Sequence, residues 1–440
     1  MDKVAVIGGG ISGMAASMYL LAKGFRVELF ESSPELGGRT GSLMMADGRQ
    51  VDAGGKNIGR KYTRFRQLVD TIGPMEYEYF GLNTSQVVDR EIVRLSREQG
   101  TGSAMRAILR FAGVAGIARL YPLVRALRRD REQGFLNTSY FNRISRKHDR
   151  ATLASWFPRR CAEHLIRPMT VRMNGAEPDE CYPGNFGSNL ALVLDSYDQL
   201  TEGMHGMISR FERFAGDDMV LKEHHVESME HHDATTTLHV RSPGGRYRRN
   251  FRKVVVALPA CDAARLWTAS FPELADLLGR IRYYPVGVAL VRYRHDVFSS
   301  AERAMIFGSQ SLVSNAGAYG IGDRNLVRYT FSGRASRDLL EKGLPAERMI
   351  ALAEEAIEPY FSVSAGSRES SVYRRFSPGL CAYSAYHYSL LEALDRYLGT
   401  WRGVAVTGDF RRGASIEACC RAAEESVESL TGGADRERNL

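Results

Sequence analysis

The sequence predicts an α/β protein: a doubly wound parallel sheet built from distant parts of the chain, interleaved with a second, α+β domain. Three observations carry this. Residues 3–31 read as strand, glycine turn, helix, strand. Residues 404–430, at the far end of the chain, read as strand, turn, helix. A length of 440 residues exceeds what one core serves and suits two domains.

Lys3 to Ile7 is a short, β-branched apolar run, the pattern of a parallel strand buried on both faces. Gly8, Gly10 and Gly13 follow as G-x-G-x-x-G, with Ile11 and Ser12 between the last two. The first glycine permits the tight turn. The second lets the backbone approach a pyrophosphate, and the third lets helix pack on strand. Met14 to Lys23 reads as that helix, ended by Gly24. Its N-terminus directs free N–H groups and the positive end of its dipole at phosphates. Arg26 to Phe30 is the second strand. Glu31 stands at its end, 18 residues after Gly13. A carboxylate there accepts from a ribose diol and repels a 2′-phosphate, so a Rossmann-type domain holding FAD or NAD is expected.

Glu35-Leu36-Gly37-Gly38-Arg39-Thr40 comes next. Here the sequence resembles the superfamily of flavin-containing amine oxidases, protoporphyrinogen oxidases and phytoene desaturases, in which a second strand ending in Glu leads to a Gly-Gly-Arg segment. The resemblance implies FAD, with Gly38, Arg39 and Thr40 on its diphosphate side. An arginine there offers phosphate a fork of donors. Val51-Asp52-Ala53-Gly54-Gly55 resembles the family's strand and glycine turn near the flavin ring, which brings Gly54 and Gly55 into the site. Val404 to Asp409 and Gly413 to Ala418 resemble its second FAD motif. Gly408 and Asp409 would serve the ribityl or diphosphate region. Ser415 and the Ile416 amide, opening a helix that runs to about Leu430, would face the flavin pyrimidine, where a helix N-terminus stabilises developing negative charge. In mid-chain, Val220 to Ser228 and Leu238 to Val240 read as a hairpin, and Lys253 to Pro259 as a buried strand. Val226 matches a family valine whose backbone meets the adenine. The family's order then divides the chain into FAD-binding segments 1–75, 200–265 and 396–440, and substrate-domain segments 76–199 and 266–395. The substrate domain is expected to be helices plus a mixed sheet over the flavin.

Several residues are candidates for the chemistry. Lys56 and Asn57 follow the glycine turn and are expected to face the flavin, and Arg60 is a candidate for binding a substrate anion. Arg292 is the only charge on Pro285 to Arg292, the strand on which the family's amine oxidases carry a lysine near flavin N5. Tyr383, Tyr386 and His387 precede the last strand. Each also reads as ordinary polar lining. The amine oxidases place a tyrosine where Ser415 stands, so half of an aromatic cage is missing. This points away from simple amine oxidation, toward the protoporphyrinogen-oxidase and desaturase side or bacterial tailoring oxidases of secondary metabolism. Phe376 through His387 resembles that side too. No cysteine lies in the segment before Pro378-Gly379 where a covalent link would sit, so non-covalent FAD is expected. Gly317-Ala318-Tyr319-Gly320-Ile321-Gly322 imitates a second glycine loop, but with no clean strand before it and no helix after it, it reads as a loop. One dinucleotide site is expected, with O2 or another external acceptor.

The implied function is an FAD-dependent oxidoreductase. It would pass a hydride from a C–H bond of a fairly large organic substrate to flavin N5, with reoxidation by O2. The alternatives are a flavin-dependent isomerase or cyclase without net oxidation, a desaturase using another acceptor, and a protein that keeps FAD structurally.

Composition narrows the setting. Net charge is +8, and of 59 basic residues eight are lysines. Such an arginine excess reflects base composition more readily than function; an anionic ligand or an acidic membrane surface is the alternative. No nucleic-acid recognition motif accompanies it. The six cysteines form no C-x-x-C pair, which argues for reduced thiols in the cytoplasm and against a metal site. No secretory leader and no membrane-spanning helix are expected. Met105 to Arg131 reads as a basic amphipathic helix pair broken near Pro122. Its plain reading is a solvated basic face, its alternative a weak membrane-surface contact. A monomer and a homodimer are equally compatible with the sequence.

Overall fold

The computed structural model describes residues 3–80, 83–88, 91–96, 101–300, 302–401 and 403–432. Its first layer is a five-stranded parallel sheet of β1 (Lys3–Ile7), β2 (Arg26–Phe30), β3 (Val220–Leu221), β4 (Lys253–Val256) and β5 (Val404–Val406), in the order β3-β2-β1-β4-β5. The chain turns outward in both directions from β1, so a crevice opens beyond the strand ends at Ile7, Phe30 and Val406. That is where doubly wound sheets take their ligands. The apolar runs are there because both faces are covered. On one face α1 (Ile11–Ala22) packs with the last long helix, Ile416–Thr431, through Met14, Ala15, Cys420, Ala423 and Val427. On the other, Ala5, Ile7 and Val254 meet a three-stranded antiparallel sheet and the helix Ala260–Trp267.

That antiparallel sheet corrects one expectation. Val220–Leu221 is not part of the hairpin; it pairs parallel with Leu29 and Phe30 at the edge of the main sheet. The hairpin is His225–His232 with Thr235–Ser242, extended by Gly245–Phe251. Its turn residues Asp233 and Ala234 both take positive φ (45° and 63°), as a two-residue hairpin matched to strand twist requires.

The second layer is a seven-stranded mixed sheet, ordered Arg368–Ala382, Arg282–Tyr293, Leu326–Phe331, Asn315–Ala318, Ala304–Ile306, Asn83–Val88, Glu91–Ser96. Here Gly317 and Ala318 end a strand, where the sequence reading expected a loop: Gly317 lies across from both Ala304 and Arg328. No helix follows it directly. Along Arg282–Tyr293 side chains alternate between faces. Val286, Val288 and Leu290 pack against Met45, Val51 and Ala53, which lays this sheet over the glycine turn. Ala289, Val291 and Tyr293 face a separate core with Met305, Tyr329 and Met349.

The helix α2 (Thr101–Arg129) is broken at Gly113 (φ 64°), not near Pro122. A left-handed φ costs glycine nothing, whereas the proline ring's fixed φ is itself helical. Contrary to the expectation of no spanning helix, Arg106–Arg129 is long and apolar enough to cross a membrane by length and composition. Only a third of its most apolar stretch is buried, through residues such as Phe111, Ala112, Leu120 and Leu123. Asn174 ends a shorter helix, α3 (Arg167–Asn174). The Ile416–Thr431 helix is α4.

Candidate functional site

The crevice is built from three stretches of chain. At β1, Gly8 takes φ 103° and its N–H donates to Phe30 O (2.8 Å), while Met14 N–H donates to Gly10 O (2.9 Å) to open α1. A Cβ on Gly13 would lie 1.8 Å from Gly8 O, so only glycine lets α1 sit against the turn. A Cβ on Gly10 would meet nothing within 4 Å. Gly10 therefore borders open space, which a phosphate approaching the helix N-terminus needs. Ile11 and Ser12 are buried in the first turn behind it.

Glu31 is held in place before any ligand arrives. Its carboxylate accepts from Gly9 N–H and Ser33 N–H, both at 2.8 Å. His224 N–H donates to Glu31 O (2.8 Å), which brings Val226, two residues on, beside the same strand end. His225–His232 is an edge strand, so its backbone has groups to spare for another partner. The Gly37–Thr40 segment closes over the first glycines: Gly37 N–H donates to Gly9 O (2.9 Å), and Thr40 Oγ1 to Gly37 O (2.8 Å). Gly54 packs on Arg39, where a Cβ would lie 2.0 Å from Arg39 O, and Gly55 N–H donates to the same oxygen (3.2 Å).

Arg39 joins the two ends of the chain. Its Nη1 donates to Asp409 Oδ2 at 2.6 Å and to Gly379 O at 2.9 Å. Tyr283 OH donates to the other Asp409 oxygen (2.7 Å). Asp409 is thus buried and already engaged, and its direct role is to aim Arg39. Gly408 (φ 154°) makes the turn into it. Ser415 caps α4: its Oγ accepts from Ala418 N–H (3.1 Å) and its carbonyl from Cys419 N–H (3.0 Å). The amide of Ile416, the first helical residue, has no acceptor within the helix and points at the positive end of its dipole. A cavity of about 430 Å³ reaches Ser415 and Ala414, walled by Tyr62, Asn174, Asn189 and Tyr383, with Arg128 from the end of α2 and Arg131 just beyond that helix also lining it.

The chemistry candidates divide. Lys56 is buried, and its Nζ donates to Gln199 Oε1 (2.8 Å) and to Tyr319 O, while lying 3.9 Å from the Tyr319 ring centre. Burial first, then the charge of Arg328, pushes its pKa down to about 7. Asn57 is exposed beside it. Arg60 is no free anion hook: it pairs with Asp198 (2.9 Å) and stacks on Tyr79. Arg292 pairs with Asp47 (2.6 Å) at the far end of its strand. Tyr386 adopts φ 55° and its N–H donates to Asp149 Oδ2 (3.0 Å), a structural turn. His387 is buried, and burial takes its pKa down to about 4, so the neutral ring donates Nε2–H to Phe410 O (2.7 Å) and holds the loop. Cys381 is fully buried, and burial together with Asp409 raises its thiol far above the usual range, which keeps it unreactive. Sequence reasoning missed Arg328, whose guanidinium donates to Asp52 O (3.1 Å), Gly54 O (2.9 Å) and Ala53 O (3.2 Å) and so fixes the glycine turn from the other layer. It also missed Tyr283 and Gln199. None sits in a local motif; only strand register brings them in.

The family model described as flavin containing amine oxidoreductase matches residues 11–429. The chain belongs to this family. It is an FAD-dependent oxidoreductase, and the residues above fit that cofactor through the open space at Gly10, the pre-positioned Glu31 and the capped α4. A probable zeta-carotene desaturase of Synechococcus elongatus is 26% identical over 160 residues, 35% of this chain and 33% of the relative. Human flavin-containing amine oxidase B is 39% identical over 75 residues, 17% of this chain and 14% of the relative. The matched stretches thus span a third or less of these relatives' lengths. A putative protoporphyrinogen oxidase structure from Exiguobacterium sp. 255-15 superposes with TM-score 0.74 at 15% identity, over 98% of this chain and 99% of that one. That likeness shows the shared fold.

Proposed function

We propose that the enzyme is an oxidase that holds FAD non-covalently and takes a hydride from a C–H bond of a fairly large organic substrate, beside N or O or within a CH–CH unit, with O2 as the acceptor. The observation that carries this is the Arg39–Asp409 pair, 370 residues apart, which closes the glycine turn, the Gly-Gly-Arg segment and the capped helix into one crevice. Gly8, Gly10, Ile11, Ser12 and Gly13 would take the diphosphate with Gly38, Arg39 and Thr40. Glu31 and the Val226 backbone would take the adenosine, and Gly54, Gly55, Gly408, Asp409, Ser415 and Ile416 the flavin half. FAD bound there supplies the hydride acceptor. The protein supplies position and dryness, which such a transfer mainly demands. Segments 1–75, 200–265 and 396–440 are proposed as the FAD-binding domain, supported by the strands that each contributes to the parallel sheet. No second phosphate-binding helix follows the Gly317–Gly322 segment, which supports an external acceptor over a nicotinamide.

A tailoring role in bacterial secondary metabolism is part of this reading, supported by Ser415 in place of the amine oxidases' tyrosine. So is a cytoplasmic setting, supported by six free thiols. Weak contact with an anionic membrane surface is supported by α2: Ile108, Leu109, Val114 and Tyr121 are exposed there, and no acidic residue lies between Thr101 and Arg129. The test is anaerobic titration of the FAD-loaded enzyme with a metabolite panel. Flavin bleaching by one compound, reversed by air with peroxide released, is expected. Turnover without bleaching would mean an isomerase or cyclase, and an NADPH requirement would remove the oxidase reading.

A further inference from the structure

The cavity beside Ser415 has a built wall, and the wall is uneven in charge. Buried Asn174, Asn189 and Tyr383 line it, and so do exposed Lys61, Arg128 and Arg131. Leu127, Phe135 and Leu192 supply apolar lining. The two asparagines are more than nine-tenths buried and are locked in series. Cys381 O can only accept, so it takes Asn174 Nδ2–H (2.9 Å), and Asn174 Oδ1 then takes Asn189 Nδ2–H (2.6 Å). That order leaves Asn189 Oδ1 as an acceptor with no donor among the described residues.

The basic side is held in place as well. The turn Arg131–Gly134 packs on the helix Phe186–Val193: a Cβ on Gly134 would lie 2.6 Å from Ala191 Cβ. The same turn is pinned to α4. Arg421 pairs with Glu132 (2.5 Å) and lies 4.3 Å from the Phe135 ring centre, and Leu136 N–H donates to Arg412 O (2.9 Å). These contacts occupy the other charges. Arg412 holds Glu425 (2.6 Å), and Arg64 holds Glu424. The remaining lining carboxylates accept backbone N–H groups, Asp195 from Ser196 (2.8 Å) and Glu417 from Phe65 (3.0 Å). Arg128 and Arg131 make no hydrogen bond or ion pair among the described residues, and Lys61 Nζ bonds only the neutral Leu194 O (2.9 Å). A cation in the last turn of a helix suits the dipole there without any partner. Arg131 lies beyond the helix, and two guanidiniums lining one cavity beside apolar side chains offer their forks to an oxyanion.

We propose that this cavity is the substrate site and that the substrate is an amphiphilic organic acid. Its carboxylate or phosphate head would be held by Arg128 and Arg131, with Lys61 adding attraction, and its apolar body would run along Leu127, Phe135 and Leu192 toward Ser415. Asn189 Oδ1 is free to accept from a hydroxyl or N–H on that body. About 430 Å³ lies within the range of roughly 300–1,000 Å³ typical of sites for organic ligands. The inference rests on the flavin reading for one point, which end reacts: that reading puts the ring at the N-terminus of α4, so the end remote from the head meets it. The same cations repel an organic ammonium, which agrees with the missing half of the amine cage at Ser415.

Decanoate and decyl phosphate, below their micelle concentrations, are the probes, with decanol and decylamine as neutral and cationic controls of the same chain length. By calorimetry on FAD-loaded protein, one or both anions should bind at least tenfold more tightly than either control, and the tighter anion names the head group. Its binding should perturb the flavin spectrum saturably. The double variant R128Q/R131Q should weaken the anion at least tenfold while Tm holds, because both side chains are exposed. Decanol binding as tightly as the anions would overturn the proposal, whether or not the variant folds. So would an R128Q/R131Q affinity equal to that of the parent. Anion binding that leaves the flavin spectrum unchanged would overturn the assignment as substrate site. A protein that takes up no FAD refutes the flavin reading instead, and the preference for anion over decanol, with its loss in R128Q/R131Q, then judges the anion site alone.

Discussion

Replacing Lys56 with methionine should make the protein more stable in mild acid and progressively less so as pH rises. The side chain is 7% exposed, and burial with Arg328 nearby takes its pKa to about 7. An unfolded lysine titrates near ~10.4. The folded value lies below the unfolded one, so the unfolded chain binds the proton more tightly. The resulting cost to the fold is complete below about pH 7 and is relieved as pH rises toward the unfolded value. A gap of roughly 3.5 units at about 1.36 kcal/mol each bounds that cost near ~5 kcal/mol. Methionine removes it but forfeits the two hydrogen bonds to Gln199 and Tyr319 O, at about 1 kcal/mol each. The expected gain is about 2–3 kcal/mol at pH 6. By pH 9 the parent should have recovered about 3 kcal/mol, which erases the advantage. Urea unfolding of both proteins at pH 6, 7.5 and 9, at one fixed FAD concentration, measures this. Other groups titrate alike in the two proteins, so the difference isolates Lys56. A stability difference that stays constant from pH 6 to 9 would refute the reasoning, because Lys56 would then titrate as an ordinary lysine.

Gly13→Ala and Gly10→Ala should separate packing from binding. The first puts a methyl 1.8 Å from Gly8 O and should cost about 3 kcal/mol or more, seen as a lowered Tm with or without FAD. The second meets nothing within 4 Å, so Tm without FAD should hold while the bound FAD fraction, read by absorbance, falls. Equal behaviour of the two variants would contradict the assignment of Gly10 to the phosphate side. On α2, Val114→Asp with Tyr121→Asp should cut co-sedimentation with phosphatidylglycerol vesicles at least tenfold, since each apolar side chain is worth about 1.5–3 kcal/mol when taken from water. An unchanged bound fraction would exclude this face of α2.

The parallel sheet was legible because its rules are local. Lys3–Ile7 needs only its own apolar run, and Gly13 only its distance along the chain from Gly8. Misread elements were those whose state depends on remote partners. Val220–Leu221 is two residues long and has no pattern of its own; β2 makes it a strand by pairing at Leu29 and Phe30. Asn315–Ala318 lacks β-branched residues and is strand because Arg328 and Ala304 flank Gly317. At α2 the proline rule pointed to the wrong residue, because Pro122 tolerates helical φ and Gly113 alone takes φ 64°.

The same division runs through the site. Glycines and terminal acids carry spacing signatures because phosphate and ribose are bound by backbone and by strand ends. Charges that select a substrate carry none. Arg60, Arg292 and Arg328 look alike in the sequence, three arginines among 51. Only the fold distinguishes them: Asp198 answers Arg60, Asp47 answers Arg292, and Arg328 bonds the carbonyls of Asp52, Gly54 and Ala53. In an arginine-rich chain, residue identity says little about function. The partner each guanidinium already holds says more, because it decides whether that side chain is still free to take an anion.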